Sequence, residues 1–309
     1  MRQKLYVFYF SVAILFSVIA CNPSAKKDKG NEKLNRYYTE DSLKNGSDVI
    51  EIRKYKYFAD GLDTKDVEST VSAIDRYKSD FKDKRVGLCD TAFMVLQSVV
   101  DSIELDLNVA LIEDTTDYST LYLKKTLSSK VADFKSLLNT NGFDLKSVEG
   151  IVYIVQDRSY LLNQISAMVS ETLKTYLTQI ADETAEGFVE DAFVTITPNQ
   201  FVDRVLWYEN FIHSNPDFMY IENCETNRES YLTYLFVGLD NTRLYDNEEL
   251  MVLNPFYSTA YDYLLKTYPQ SETAKLLVPY YKAIKENKSI VVSDLIGKYV
   301  DEGLIFDMY

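Results

Sequence analysis

The chain has 309 residues, with 47 Asp+Glu against 33 Lys+Arg and a formal net charge of −14 at pH 7. A field of that sign argues against nucleic acid and against anionic lipid as partners of the body, while the length allows one large or two modest domains with a sizeable core. Gly 10 and Pro 6 fall well below the roughly 12% of average usage, which starves hairpins and turns and, with apolar residues recurring at helical spacing, predicts an all-α protein.

At the start of the chain, Arg2 and Lys4 precede an apolar run from Leu5 to Ala20, closed by Cys21. That order is a secretory signal, and the run is shorter than the roughly 20 residues a bilayer span requires. Beyond it, no stretch is expected to cross a membrane. Val18-Ile19-Ala20-Cys21 resembles the lipobox of bacterial lipoproteins, with a branched residue three before the cysteine and a small residue beside the scissile bond. The resemblance implies removal of residues 1–20 and acylation of Cys21, palmitate included. Several acyl chains on one residue exceed the two signals that stable anchoring needs. Asn22 is not the Asp that retains lipoproteins in the inner membrane of some bacteria, so the resemblance points to the outer membrane, with the body facing the periplasm or the outside.

Residues 21–36 form a basic tether holding Lys26, Lys27, Lys29, Lys33 and Arg36 against Asp28 and Glu32, with Asn, Pro, Ser and Gly suited to a solvated spacer. A long-helix bundle is expected over 37–185. Its first helical faces lie either side of Asn45-Gly46 and end at Gly61. Thr64 is the expected N-cap of a helix over Val67, Val71, Ile74, Tyr77 and Phe81. A longer helix follows from Leu88 to Leu111, broken by Asp114 to Asp117. The next runs from Leu121 to Leu138 and stops at Asn139-Thr140-Asn141-Gly142. From Asp144 to Ile180 apolar residues at Val148, Val152, Val155, Leu162, Ile165, Val169, Leu173 and Tyr176 predict one helix, roughly 55 Å long, and hence an elongated bundle.

The pattern lapses over 182–196, and a second, helical-hairpin domain is expected over 195–309. Thr197-Pro198-Asn199-Gln200 reads as a capping box with Pro at the first helical position. That helix ends at Asn215-Pro216. Another, near Cys224 to Val237, closes on Gly238, and Asn254-Pro255 opens the next. The segment Ala260-Tyr261-Asp262-Tyr263-Leu264-Leu265-Lys266-Thr267-Tyr268-Pro269-Gln270-Ser271, followed by Ala274, resembles the join between two tetratricopeptide-type hairpins and is similar to those of envelope-assembly lipoproteins. The same letters also fit two helices that each end before a proline. Pro279 is expected to kink or end the helix after Ser271, and a short helix near Ser293 to Val300 precedes an apolar tail.

The chemistry available is sparse. His 1 in the composition means that His213 alone would have to serve a zinc site or a Ser or Cys nucleophile, and its place at a helix end suits a solvated side chain. There is no Gly-rich phosphate loop, dinucleotide fingerprint or nucleophile elbow, so no catalytic residue, cofactor or metal is expected. Carboxylates are plentiful, but acids spread over helix faces ordinarily solvate them. The acids Asp240, Asp246, Glu248 and Glu249 lack the pattern of an EF-hand loop. Export permits a disulfide between Cys89 and Cys224, although the apolar stripe around Cys89 favours a buried free thiol.

Tyr 25 is the one compositional excess. Tyr257, Tyr261, Tyr263, Tyr268, Tyr280 and Tyr281 crowd the C-terminal part and, with Trp207, form the expected binding surface, since a ring with a polar tip suits contact with peptides or sugars. These features predict a lipid-anchored envelope protein that binds or scaffolds a partner protein without catalysis. Glycan capture is the alternative, as in helical-repeat lipoproteins that resemble the starch-uptake class and use aromatic platforms. A hydrolase without a recognisable motif is the third.

Overall fold

A computed structural model of the chain describes residues 46–123, 126–148 and 150–308. The signal segment, Cys21 and the tether lie outside the described residues. The described residues are 65% helical, with 12 helices and only small two-stranded sheets, so the architecture is predominantly all-α. They divide into two compact units at Glu186–Gly187.

The first unit opens with α1 (Gly46–Asp60), α2 (Ser69–Phe81) and α3 (Val86–Glu113), which pack on one another. Each turns a stripe at helical spacing inward: Ile52, Tyr55 and Ala59; Ala73, Ile74, Tyr77 and Phe81; Leu88, Phe93, Leu96, Val100, Ile103 and Leu107. The rings of Tyr55, Tyr77 and Phe81 meet with centroids 5.5 to 6.1 Å apart. Both phenols are satisfied by main-chain acceptors, Tyr55 donating to Ala73 O at 3.0 Å and Tyr77 to Cys89 O at 3.0 Å. Thr64 does not cap α2. Its hydroxyl donates to Asp106 at 2.5 Å, and α2 starts at Ser69 without a side-chain cap. Contrary to expectation, α3 is also long and apolar enough to cross a membrane by length and composition, yet most of that window is buried inside the unit.

The helix expected over 121–138 is two, α4 (Ser119–Tyr122) and α5 (Ser129–Thr140), because Ser128 caps α5 by accepting from Val131 N. The larger correction lies over 144–180. An antiparallel hairpin, β1 (Phe143–Val148) and β2 (Ile151–Gln156), occupies its first part, followed by α6 (Arg158–Ile165) and α7 (Glu171–Glu186). Gly142 and Gly150, at φ +83° and +82°, bracket β1. The hairpin is held by a polar stripe on α3. Asn108 Nδ2 donates to Ile154 O at 2.8 Å, and its Oδ1 accepts from Ile154 N at 2.9 Å, so a side-chain amide pairs the strand's outer edge. One turn away, Gln156 Nε2 donates to Asp101 at 2.8 Å and to Glu104 at 2.6 Å. A rigid straight helix through 144–180 would leave these α3 groups unpaired, which is costly for half-buried polar atoms.

The second unit contains α8 (Pro198–Ser214), α9 (Ile221–Val237), α10 (Pro255–Thr267), α11 (Glu272–Lys285) and α12 (Ser289–Asp301). The expected capping box is present, with Thr197 accepting from Gln200 N and the Gln200 side chain accepting from Thr197 N. Asn254 and Ser271 cap α10 and α11. Helices α8 and α9 pack as a pair, as do α10 and α11. Between the pairs lie short strands unforeseen from the sequence, β5 (Gly238–Leu239) with β6 (Thr242–Arg243) and β7 (Tyr245–Asn247) with β8 (Val252–Leu253). A further small hairpin, β3 (Val189–Glu190) with β4 (Phe193–Val194), precedes α8. Pro279 neither ends nor divides α11. Pro279 and Lys275, whose carbonyl would have paired with residue 279, both lie on the exposed side of the helix, where a missing helix bond costs least. Cys89 and Cys224 are buried and form no disulfide, Cys89 Sγ donating to Phe81 O at 3.3 Å.

Two consequences are measurable. Burial raises the phenols of Tyr55, Tyr77, Tyr257 and Tyr261 above the ordinary value of 10.0. Below that pH both folded and unfolded chains keep these protons. Above it the unfolded chain releases protons that the folded chain retains, so the contribution of these phenols to urea-unfolding stability is constant up to about pH 10 and falls above it. At Gly142 an added Cβ would sit 2.5 Å from the Tyr160 ring at φ +83°. Gly142→Ala is therefore expected to lower the denaturant midpoint by about 2 kcal/mol equivalent without changing the m-value.

Candidate functional site

The structure separates the seven aromatic residues expected to form a surface. Tyr257, Tyr261, Tyr280 and Tyr281 are buried, and three of them donate to main-chain carbonyls: Tyr257 to Thr242 O at 2.9 Å, Tyr261 to Leu235 O at 2.8 Å and Tyr280 to Phe236 O at 2.5 Å. Tyr281 packs edge-on against Tyr261 at 5.2 Å and donates to Asp262 at 3.2 Å. These four hold helices together and offer no surface to a ligand. The physical reason is spacing: Tyr257, Tyr261 and Leu264 on α10, and Leu277, Tyr280, Tyr281 and Ile284 on α11, form the inward stripes of their helices.

Tyr263, Tyr268 and Trp207 are half-buried, and two of them converge on one carboxylate. Tyr263 lies on the outer side of α10, while Tyr268 is its C-cap residue. Both phenols donate to Asp203 Oδ1, at 3.0 and 3.1 Å, and their rings meet edge to face at 6.0 Å and 82°. Asp203 is exposed on α8, and Trp207 follows one turn later on the same face. The indole stacks on Phe211 at 4.7 Å and 13° and meets Tyr208 edge-on at 5.0 Å. Hydrogen bonding to Tyr268 and then to Asp203 raises the Tyr263 phenol above its ordinary value. The result is a carboxylate held by two phenols, with an indole one turn further along α8 held by Phe211 and Tyr208. Such a group can accept hydrogen bonds from an ammonium, a guanidinium or hydroxyls while the rings cover apolar surface.

A second carboxylate links α8 to α11. Glu209 accepts from Glu272 N at 2.8 Å, Thr273 N at 2.9 Å and Thr273 Oγ1 at 2.6 Å, and Arg228 lies 3.7 Å away. It is an N-terminal cap supplied by another helix. His213 is exposed in the last turn of α8. In the first unit, sequence reasoning missed the cluster of Gln97, Asp101, Glu104, Gln156 and Arg158. Burial raises the Glu104 carboxyl, opposed by the Arg158 charge and the bond from Gln156. Its donors and acceptors are spent on seating β2, so it is a structural group. The acids Asp240, Asp246, Glu248 and Glu249 do not converge, and no group of three or more potential metal ligands forms among the described residues. The one signal that would have marked Asp203 beforehand is its four-residue offset from Trp207 on a capped helix.

Comparison with known proteins finds no matching family model, no matching curated protein and no matching solved structure.

Replacing Asp203 by Asn removes the charge that opposes ionisation of Tyr263. Alkaline titration of tyrosinate absorbance is expected to show one phenol, that of Tyr263, moving down toward 10.0, with the titration of the buried tyrosines unchanged.

Proposed function

We propose that the protein is a lipid-anchored lipoprotein of the bacterial envelope that binds or scaffolds a partner protein without catalysis, anchored through Cys21 in the outer membrane. The observation that carries the reading is the group formed by Asp203, Trp207, Tyr263 and Tyr268. Trp and Tyr dominate the energetics of protein contacts when held rigidly with apolar bodies and polar tips, and here neighbouring rings hold the indole while a shared carboxylate holds the phenols. The lipobox resemblance supports the anchor. The absence of a nucleophile motif or a second histidine from the sequence supports a binding role.

Affinity capture from detergent-solubilised envelopes tests this reading. The native chain is expected to retain a reproducible protein partner. The double variant Asp203→Ala, Trp207→Ala is expected to lose it by at least about tenfold, as removal of central contact residues does. Capture of no reproducible partner, or equal capture by the variant, contradicts it.

Glycan capture is the second reading, favoured by the same fixed carboxylate among aromatic rings, which suits sugar hydroxyls and C–H edges. Trp 1 in the composition makes Trp207 emission a direct reporter. A saturable shift or quench with a sugar supports glycan binding, and constant emission across a glycan panel removes it.

A further inference from the structure

The first helix of the N-terminal unit presents a face that its own fold does not use. On α1, Ile50, Arg53, Lys54, Tyr57 and Phe58 recur at helical spacing, opposite the buried Ile52, Tyr55 and Ala59. Tyr57 is 85% exposed and Ile50 52% exposed. Together with Arg76 of α2, whose guanidinium lies 5.3 Å over the Phe58 ring, these residues line a shallow open groove.

The electrostatics of this face differ from those of the chain as a whole. Every acid on α1 is paired: Asp48 with Arg85, Glu51 with Lys84 and Asp60 with Lys56, while Asp80 of α2 pairs with Arg76. Arg53 and Lys54 have no carboxylate partner among the described residues. A chain of net charge −14 thus carries, on its first described helix, two uncompensated cations between an exposed Ile and an exposed Tyr. Residues 22–45 separate this helix from Cys21 in the sequence. The intervening sequence holds Lys26, Lys27, Lys29, Lys33, Arg36 and Lys44 against Asp28, Glu32, Glu40 and Asp41, a small net charge of the same sign.

We propose that α1 docks on an anionic phospholipid surface. Ile50 and Tyr57 enter the headgroup boundary, and Arg53 and Lys54 meet the phosphates. Tyrosine favours the membrane interface, and basic groups near an anionic leaflet are attracted to it within a Debye length. The acidic remainder of the chain is repelled by the same surface, which confines contact to this face. The proposal rests on the reading of Cys21 as the lipidated residue.

The test uses the full chain, processed and acylated in cells, reconstituted in phosphatidylcholine vesicles with or without phosphatidylglycerol. Tyr57→Cys and, as a control, the exposed position Ser102→Cys each carry an environment-sensitive fluorophore; Cys89 and Cys224 are buried. The expected result is several-fold stronger quenching by brominated lipid at position 57 than at 102, in phosphatidylglycerol vesicles only, abolished by Arg53→Glu with Lys54→Glu. Vesicle flotation reads the anchor separately. A chain that floats while position 57 stays in water overturns the docking and leaves the anchor standing. A chain that does not float, with position 57 in water, overturns both. Equal quenching without phosphatidylglycerol overturns the role of the two cations. Shielding of position 57 in native envelopes but not in phosphatidylglycerol vesicles identifies an acidic protein partner and overturns lipid docking.

Discussion

A repeated hydrogen bond, from a buried tyrosine hydroxyl on one element to a main-chain carbonyl on another, is the constraint on which the packing of both units depends. Tyr55 to Ala73 and Tyr77 to Cys89 secure α1, α2 and α3. Tyr257 to Thr242, Tyr261 to Leu235, Tyr280 to Phe236 and Tyr299 to Leu276 secure α9 to α12 and the short strands between them. Ala73, Cys89 and Leu276 lie within helices, where a carbonyl that already accepts one bond has a second lone pair to offer, whereas Leu235 and Phe236 lie in the last turn of α9, whose carbonyls have no intrahelical donor. A tyrosine placed at core spacing therefore gains ring burial and satisfies its own oxygen at once. Replacing such a ring with an apolar one of another shape would leave either a void or a misfit, and the bond fixes the rotation of one helix against the next.

The hairpin of the first unit follows the same logic with different groups. An antiparallel pair has two edges, and an open edge needs partners. Here β2 lies along α3, where Gln97, Asp101, Glu104 and Asn108 recur at helical spacing and meet the strand's backbone and Gln156. The apolar side of α3 builds the core while this polar stripe receives the strand. One helix thus organises the unit through two of its faces.

The capped helices of the second unit were legible from the sequence because caps are local. Thr197 with Gln200, Asn254 with Pro255, and Ser271 all act within four residues of themselves. The hairpin over 143–156 was not legible from apolar spacing alone, since Val148, Val152 and Val155 fit a helical stripe as well as a strand. The contrary signs were the density of β-branched residues in Ile151-Val152-Tyr153-Ile154-Val155 and Gly150 before them. The aromatic cluster was legible as a group and wrongly placed as a surface, because composition reports how many rings a region has and not which way a helix turns them. Tyr263 and Tyr268 reach the surface through their position on the outer side and end of α10, and their common partner Asp203 lies 60 residues or more away in sequence, beyond any local pattern.

Among the described residues six buried tyrosines act as internal ties, while the half-buried Tyr263 and Tyr268 gather at the exposed Asp203. Hydroxyl-radical footprinting of the folded chain, read residue by residue by mass spectrometry, tests this most directly. The account predicts oxidation at Tyr57, Tyr263 and Tyr268, with Tyr55, Tyr77, Tyr257, Tyr261 and Tyr280 protected until the chain is unfolded. Rapid oxidation of Tyr257, Tyr261 and Tyr280 in the folded protein would contradict it.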